Sequence, residues 1–246
     1  MRLLLIRHGQ TSSNVEHHLD TAEPGAGLTD FGWRQAHAIP DALAHEQIGL
    51  LCVSTLLRTQ QTAAPLADRR RLRPRVEPGI REIVAGDLEM CNDKASMHRY
   101  VETVFGWDHN LDRQVPGGET GRQVLARFDA ATRAATWEAT RTGCETLAFV
   151  SHGAVIRVWT ALRAENVDME FAATHWLPNT GLVVVEGHPD HGWSMTSWGE
   201  WALGGPELSD PAHTGPAGEP EVIPDDVEPA VAGGQPGVVR PAPPAR

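Results

Sequence analysis

A chain of 246 residues that is 41% hydrophobic can bury a core without disulfide staples, and its net charge of −11 excludes a binder that neutralises nucleic-acid phosphates. No apolar run is long enough to cross a bilayer, and Met1-Arg2 precedes only Leu3-Leu4-Leu5-Ile6, too short for a secretory signal. Three cysteines, Cys52, Cys91 and Cys144, lack framework or zinc spacing and read as reduced thiols of a cytoplasmic protein.

Residues 2–6 read as a buried strand running straight into Arg7-His8-Gly9, and residues 15–27 as a loop. Thr29 is an available N-cap for a helix to about His45. Leu50 to Val53 follows as a strand, Arg58 to about Arg71 as a helix with Ser54 or Thr55 as its cap, and Arg75 to Glu77 as a short edge strand between prolines. From Val84 to Val115 the pattern is irregular, with one short helix near Ser96 to Val104, and is expected to form a lid. A long helix starts at Gly118-Glu119-Thr120 and runs to about Arg141. Thr146 to Val150 is the next strand, and it ends in Ser151-His152-Gly153 before a helix over residues 154–164. Gly181 to Glu186 and Trp193 to Trp198 complete the pattern as a hairpin around His188 to Gly192, which predicts an α/β fold on a mixed, mostly parallel sheet.

Two strands therefore end in His-Gly. Side by side and parallel, their carboxyl ends would aim His8 and His152 into one crevice, and the helix start after each glycine would offer N–H groups to an anion. Residues 204–246 hold seven acids against two arginines, are crowded with Pro, Gly and Ala, and show no periodicity. They are expected to be disordered and to lie outside a catalytic domain of residues 1–203.

Over residues 1–200 the chain resembles the histidine phosphatase superfamily, the phosphoglycerate mutase-like group. The resemblance is carried by Arg7-His8-Gly9-Gln10-Thr11-Ser12-Ser13-Asn14, Leu28-Thr29-Asp30-Phe31-Gly32, Ser54 to Ala63 around Arg58, Arg81-Glu82-Ile83 with Gly86-Asp87, Pro116-Gly117-Gly118-Glu119, Ser151-His152-Gly153 and Asn179-Thr180-Gly181. It implies a three-layer sandwich of helices on both sides of the sheet, and a phosphatase of a small-molecule phosphomonoester that needs no cofactor or metal. His8 would be the nucleophile that becomes phosphohistidine, its other ring nitrogen held by a backbone acceptor. Arg7, Arg58 and His152 would surround the phosphoryl group as fixed charges, with Asn14, Thr11 and Gly153 as further phosphate contacts. Glu82 corresponds to the proton donor, although its neighbour Arg81 would oppose that role unless it points elsewhere. Relatives of this kind are often homodimers.

Arg58 carries a physical hint of its own, since a cation in the first turn of a helix opposes the macrodipole and calls for an anion. Gly117-Gly118-Glu119-Thr120 and Asn179-Thr180-Gly181 read as structural turns, and Ser54 as a cap that also reaches phosphate. His17, His18, Trp107 and His109 sit in variable loops where they could touch substrate. The family's Gly-Asp-x-Glu-Gly ending departs here to Gly86-Asp87-Leu88-Glu89-Met90. Between Glu82 and Pro116 the cations are Arg99, Arg113 and Lys94, the chain's one lysine, which favours a phosphatase over a phosphomutase. A phosphate-binding pseudoenzyme and a scaffold acting through the acidic tail are the readings from other classes.

Overall fold

The alternation along Leu3 to Ile6 dictates the layering, because Leu3 and Leu5 enter one apolar cluster while Leu4 and Ile6 enter another. A strand buried on both faces must be covered by helices on both. That strand, β1 (Arg2–Arg7), lies in the middle of a seven-stranded sheet in a computed structural model that describes residues 1–215 and the backbone of Val238–Val239. Beside it are β2 (Ile48–Val53), β3 (Arg75–Val76), β4 (Thr146–Ser151), β5 (Leu182–His188), β6 (Gly192–Gly199) and β7 (Val238–Val239). The order is β3-β2-β4-β1-β5-β6-β7, with β3, β2, β4 and β1 parallel and the remaining three joined antiparallel.

One face carries α2 (Asp30–Ala42) and α3 (Leu57–Arg70), whose Ile39, Leu43, Ala63 and Leu66 cover Leu4, Ile6, Leu51 and Val53. The other carries α4 (Lys94–Phe105), α5 (Gly121–Thr142), α6 (Gly153–Arg163) and α7 (Met169–Thr174). Phe128, Phe149 and Trp159 pack there as one aromatic group, with ring centroids 4.9 Å apart for Phe128 and Trp159. The three layers are those expected of the α/β sandwich. Among the described residues no helix is long and apolar enough to cross a membrane.

Several boundaries differ from expectation for identifiable reasons. Thr29 caps α2 through Gly32 N, but the helix stops at Ala42. Neither Ser54 nor Thr55 is the N-cap of α3, which starts from Leu56 without a side-chain cap; Ser54 Oγ accepts from Leu56 N at 3.2 Å and lies 2.8 Å from His152 Nε2. The long helix starts at Gly121, with Thr120 and Gln123 forming a reciprocal capping box. Two short helices, α1 (Ser12–Val15) and α7, have too few turns for periodicity to reveal them.

The segment from Gly86 onward does cover the site. It is zipped to the loop after α1 by Leu19 N to Cys91 O and Met90 N to Leu19 O, both 2.9 Å, and Glu89 accepts from Thr21 N, Thr21 Oγ1 and Ala22 N. Residues 204–215, beyond the domain limit expected at residue 203, lie against residues before it. Gln35 Nε2 donates to Leu208 O at 2.7 Å, Gln10 Nε2 to Asp210 Oδ2 at 2.9 Å, and Thr214 is 1% exposed. The disorder expected of residues 216–237 and 240–246 falls outside the described residues, and Val238–Val239 between them pair with β6 as β7.

Candidate active site

β1 and β4 are neighbours in parallel register, Arg7 opposite Ser151, so the two His-Gly ends do meet. The rings of His8 and His152 lie 5.2 Å apart between centroids. Beside His8 lies a partly open cavity of about 30 Å³, which His152 does not line. Arg7, His8, Thr11, Asn14, Arg58 and Glu82, all expected site residues, line it.

His8 is 4% exposed, and its Nδ1 lies 2.7 Å from its neighbour's carbonyl, Gly9 O. An N–H at Nδ1 donating to that oxygen leaves the lone pair on Nε2, the tautomer a nucleophile needs. Burial, then the charges of Arg58 and Arg7, hold this imidazole well below its ordinary pKa, so it is neutral. Its carbonyl accepts from Thr180 N and Asn179 Nδ2, both 3.2 Å, which gives the Asn179-Thr180-Gly181 turn a role in fixing the nucleophile's backbone.

Arg58 is 3% exposed and enters from the first turn of α3. Its Nη2 donates to Asp20 O at 2.7 Å, while Nε and Nη1 are buried without a hydrogen-bond partner. Burial lowers its pKa, against the opposing effect of Asp20 and Glu82. Two buried guanidinium nitrogens at a cavity wall, on a helix end that already disfavours positive charge, create a strong demand for an anion. Arg7 donates to Leu177 O at 2.8 Å and to Thr214 O at 2.5 Å. The Asn14 Oδ1 is taken by Thr11 N and Asn179 Nδ2, so Nδ2 is the end available to a ligand. The Thr11 hydroxyl caps α1 by accepting from Asn14 N, a second task beside lining the cavity.

The second His-Gly is set differently from the first. His152 is fully buried, and burial, Arg58 and His8 push its pKa well below the ordinary range, which opposes the fixed charge expected of it. Its Nε2 is 2.8 Å from Ser54 Oγ, and its Nδ1 has no hydrogen-bond partner. The amides behind Gly153 do not wait for phosphate. Ala154 N donates to Glu82 Oε2 at 3.1 Å and Val155 N to Glu82 Oε1 at 3.0 Å, so the N-terminus of α6 holds the carboxylate of Glu82. Gly153 itself does not line the cavity. Behind the first His-Gly the amides are likewise engaged, Gly9 N with Thr62 Oγ1 and Gln10 N with Gln35 Oε1.

Glu82 stands on a loop clamped by Arg127, which donates to the carbonyls of Gly79, Arg81 and Glu82 and pairs with both oxygens of Glu119. Arg81 also bonds Glu119, at 3.0 Å, so it points away from its neighbour Glu82. Glu119, read from the sequence as part of a turn, is the anchor of this arrangement.

Ser13, His18, Leu19, Asp20, Thr21 and Tyr100 complete the lining. Of these only His18 was among the loop residues expected to approach substrate, as its place just after Arg7-His8-Gly9 to Asn14 suggested. Trp107 is instead fully buried with Nε1 donating to Arg113 O, and His109 lies exposed in the turn after α4 and outside the cavity lining. His17 has φ 57° and faces His213. Asp20 and Tyr100, the latter donating to Ile83 O at 2.8 Å, had no motif to mark them, and neither had Thr214 in the supposed tail.

Comparison with known proteins agrees with this geometry. The model of the histidine phosphatase superfamily (branch 1) matches residues 3–200. PE-PGRS family protein PE_PGRS11 of Mycobacterium tuberculosis is 35% identical over 206 residues, which cover 78% of this chain but only 35% of that protein. The chain thus spans about a third of that relative's length. An adenosylcobalamin/alpha-ribazole phosphatase of Salmonella typhimurium is 29% identical over 65% of this chain and 78% of its own. Among solved structures, a mycobacterial glucosyl-3-phosphoglycerate phosphatase complexed with VO3 superimposes with a TM-score of 0.65 at 26% identity, over 80% of this chain and 98% of that one. On the family-model match over residues 3–200, the chain belongs to the histidine phosphatase superfamily.

Proposed function

We propose that the protein hydrolyses small phosphomonoesters by way of a phosphohistidine on His8. The observation that carries the reading is a neutral, buried imidazole whose Nδ1 is tied to Gly9 O, set beside a guanidinium with two unpartnered nitrogens. In the first step His8 Nε2 attacks phosphorus, the bond to the alcohol oxygen breaks, and Glu82 supplies the proton that oxygen takes. In the second, water attacks the phosphohistidine, its proton passes to Glu82, and inorganic phosphate leaves with His8 restored. Arg7, Arg58 and the Asn14 Nδ2 bind the non-bridging oxygens, and the unpartnered Nδ1 of His152 is a further polar contact.

One observation favours phosphatase over phosphomutase. Just two Arg side chains line the cavity. A mutase must retain and turn a doubly phosphorylated intermediate, which needs more positive charge. The three free thiols support a cytoplasmic setting. The experiment is hydrolysis of p-nitrophenyl phosphate in EDTA by the native chain and by His8→Ala. EDTA-resistant turnover lost in the variant supports the reading, and equal turnover by both contradicts it.

A further inference from the structure

Asp20 is an acid placed where an anion is to bind. Its side chain is 8% exposed, and its Oδ2 lies 3.6 Å from Arg58 Nη1. The same oxygen accepts from Ser13 Oγ at 2.8 Å and from Ala26 N at 2.9 Å. Those two neutral donors hold the carboxylate whether or not Arg58 turns toward a ligand. It is therefore a fixed negative charge in the cavity wall.

The charges that line the cavity are two guanidiniums, Arg7 and Arg58, set against the carboxyl groups of Asp20 and Glu82. His18 sits 3.2 Å from Glu16. A phosphate dianion engages both guanidiniums, so a second anion on the same molecule finds no cation left among the described lining residues. The adjoining hollow, which shares Thr21, is no more hospitable. It presents Glu23 and Glu89, and its one cation, Arg81, is already bonded to Glu119 at 3.0 Å.

We propose that Asp20 is a specificity-determining residue, restricting the site to phosphomonoesters whose alcohol portion carries no second anionic group. The inference rests on the phosphatase reading above and narrows its substrate class to esters of neutral alcohols such as polyols and sugars. The cause is Coulombic. In a partly buried wall a unit charge a few ångströms from a carboxylate or a second phosphate opposes binding by roughly tenfold or more.

The test uses two compounds with the same carbon skeleton, glycerol 3-phosphate and 3-phosphoglycerate, as competitors of p-nitrophenyl phosphate hydrolysis. The native protein is expected to show an inhibition constant at least about tenfold lower for glycerol 3-phosphate. Asp20→Asn keeps an acceptor for Ser13 and Ala26 while removing the charge, and should shrink that ratio by roughly the same factor. Asp20→Glu should retain it. Equal inhibition constants in the native protein, or an unchanged ratio in Asp20→Asn, overturn the proposal. Should Asp20→Asn not accumulate, the native ratio alone decides. A native protein that turns over no p-nitrophenyl phosphate refutes the phosphatase reading instead. The charge preference is then read from the dissociation constants of the two compounds by calorimetry, where equality refutes it independently.

Discussion

Glu82→Gln separates what this side chain does for the fold from what it does for the reaction. The native carboxylate accepts three backbone N–H groups: Ile83 N and Val155 N on Oε1 at 2.9 and 3.0 Å, and Ala154 N on Oε2 at 3.1 Å. Glutamine keeps an oxygen for the first two but turns an NH₂ group toward Ala154 N, donor against donor. A hydrogen bond to a charged group is worth about 1.5–3 kcal/mol, and a buried donor left unmet costs about as much again. The variant should therefore lose about 3 kcal/mol, a Tm fall of roughly 6–12 °C for a chain of this size. On catalysis, losing the proton donor should lower kcat for an alkyl phosphate by about 10²- to 10⁴-fold. The loss on p-nitrophenyl phosphate should be smaller, because nitrophenolate leaves without a proton. Calorimetric Tm and kcat on both esters check this. Equal losses on the two leaving groups, or no loss on either, would refute the assignment of Glu82 as the acid.

Further consequences follow from the same geometry. His8 and His152 are held neutral in the fold, so below about pH 6.5 the unfolded chain binds more protons and stability falls as pH drops, by up to about 1.4 kcal/mol per pH unit for each ring. Urea unfolding between pH 7 and 5 reads this, and a flat profile would contradict the buried neutral imidazoles. Arg127→Met strips the carbonyls of the Glu82 loop of their donor and leaves Glu119 to Arg81 and Val84 N, with an expected cost of about 2–4 kcal/mol and a drop in kcat larger than any change in KM. Met90 has φ 59°, where the family pattern places glycine, so Met90→Gly should raise stability by about 1 kcal/mol, measured as a shift in urea midpoint. Truncation after residue 203 removes the partners of Arg7, Gln10 and Gln35, and should cost about 2–4 kcal/mol; an unchanged Tm would show that residues 204–215 are not bound as described.

The site was legible in the sequence to the extent that strand ends locate it. A run of four apolar residues before Arg7-His8-Gly9, and another before Ser151-His152-Gly153, reveal both the strands and the crevice they share, and β1 beside β4 meets that expectation. What local pattern cannot reveal is how hydrogen bonds are allotted at long range. The first amides of α6 were available in principle to phosphate, yet Glu82, more than seventy residues earlier, takes them. Ser54 accepts from Leu56 N at the helix start as its chemistry suggests, yet the same hydroxyl also meets His152, far along the chain. Glu119 looked like part of a turn because its partners, Arg81 and Arg127, meet it only after folding. Composition did not reveal the contacts of residues 204–215 for a related reason. Residues 204–215 are polar and irregular, but they are held by main-chain oxygens at Leu208 and Thr214, to which composition is blind.

The central claim is that His8 Nε2 becomes covalently phosphorylated. Mixing the protein with a phosphorus-labelled phosphomonoester and quenching in base should leave one phosphoryl group on the peptide containing His8, stable in alkali, lost in acid and absent from His8→Ala. No label under conditions of steady turnover, or an acid-stable label that persists in His8→Ala, would contradict it.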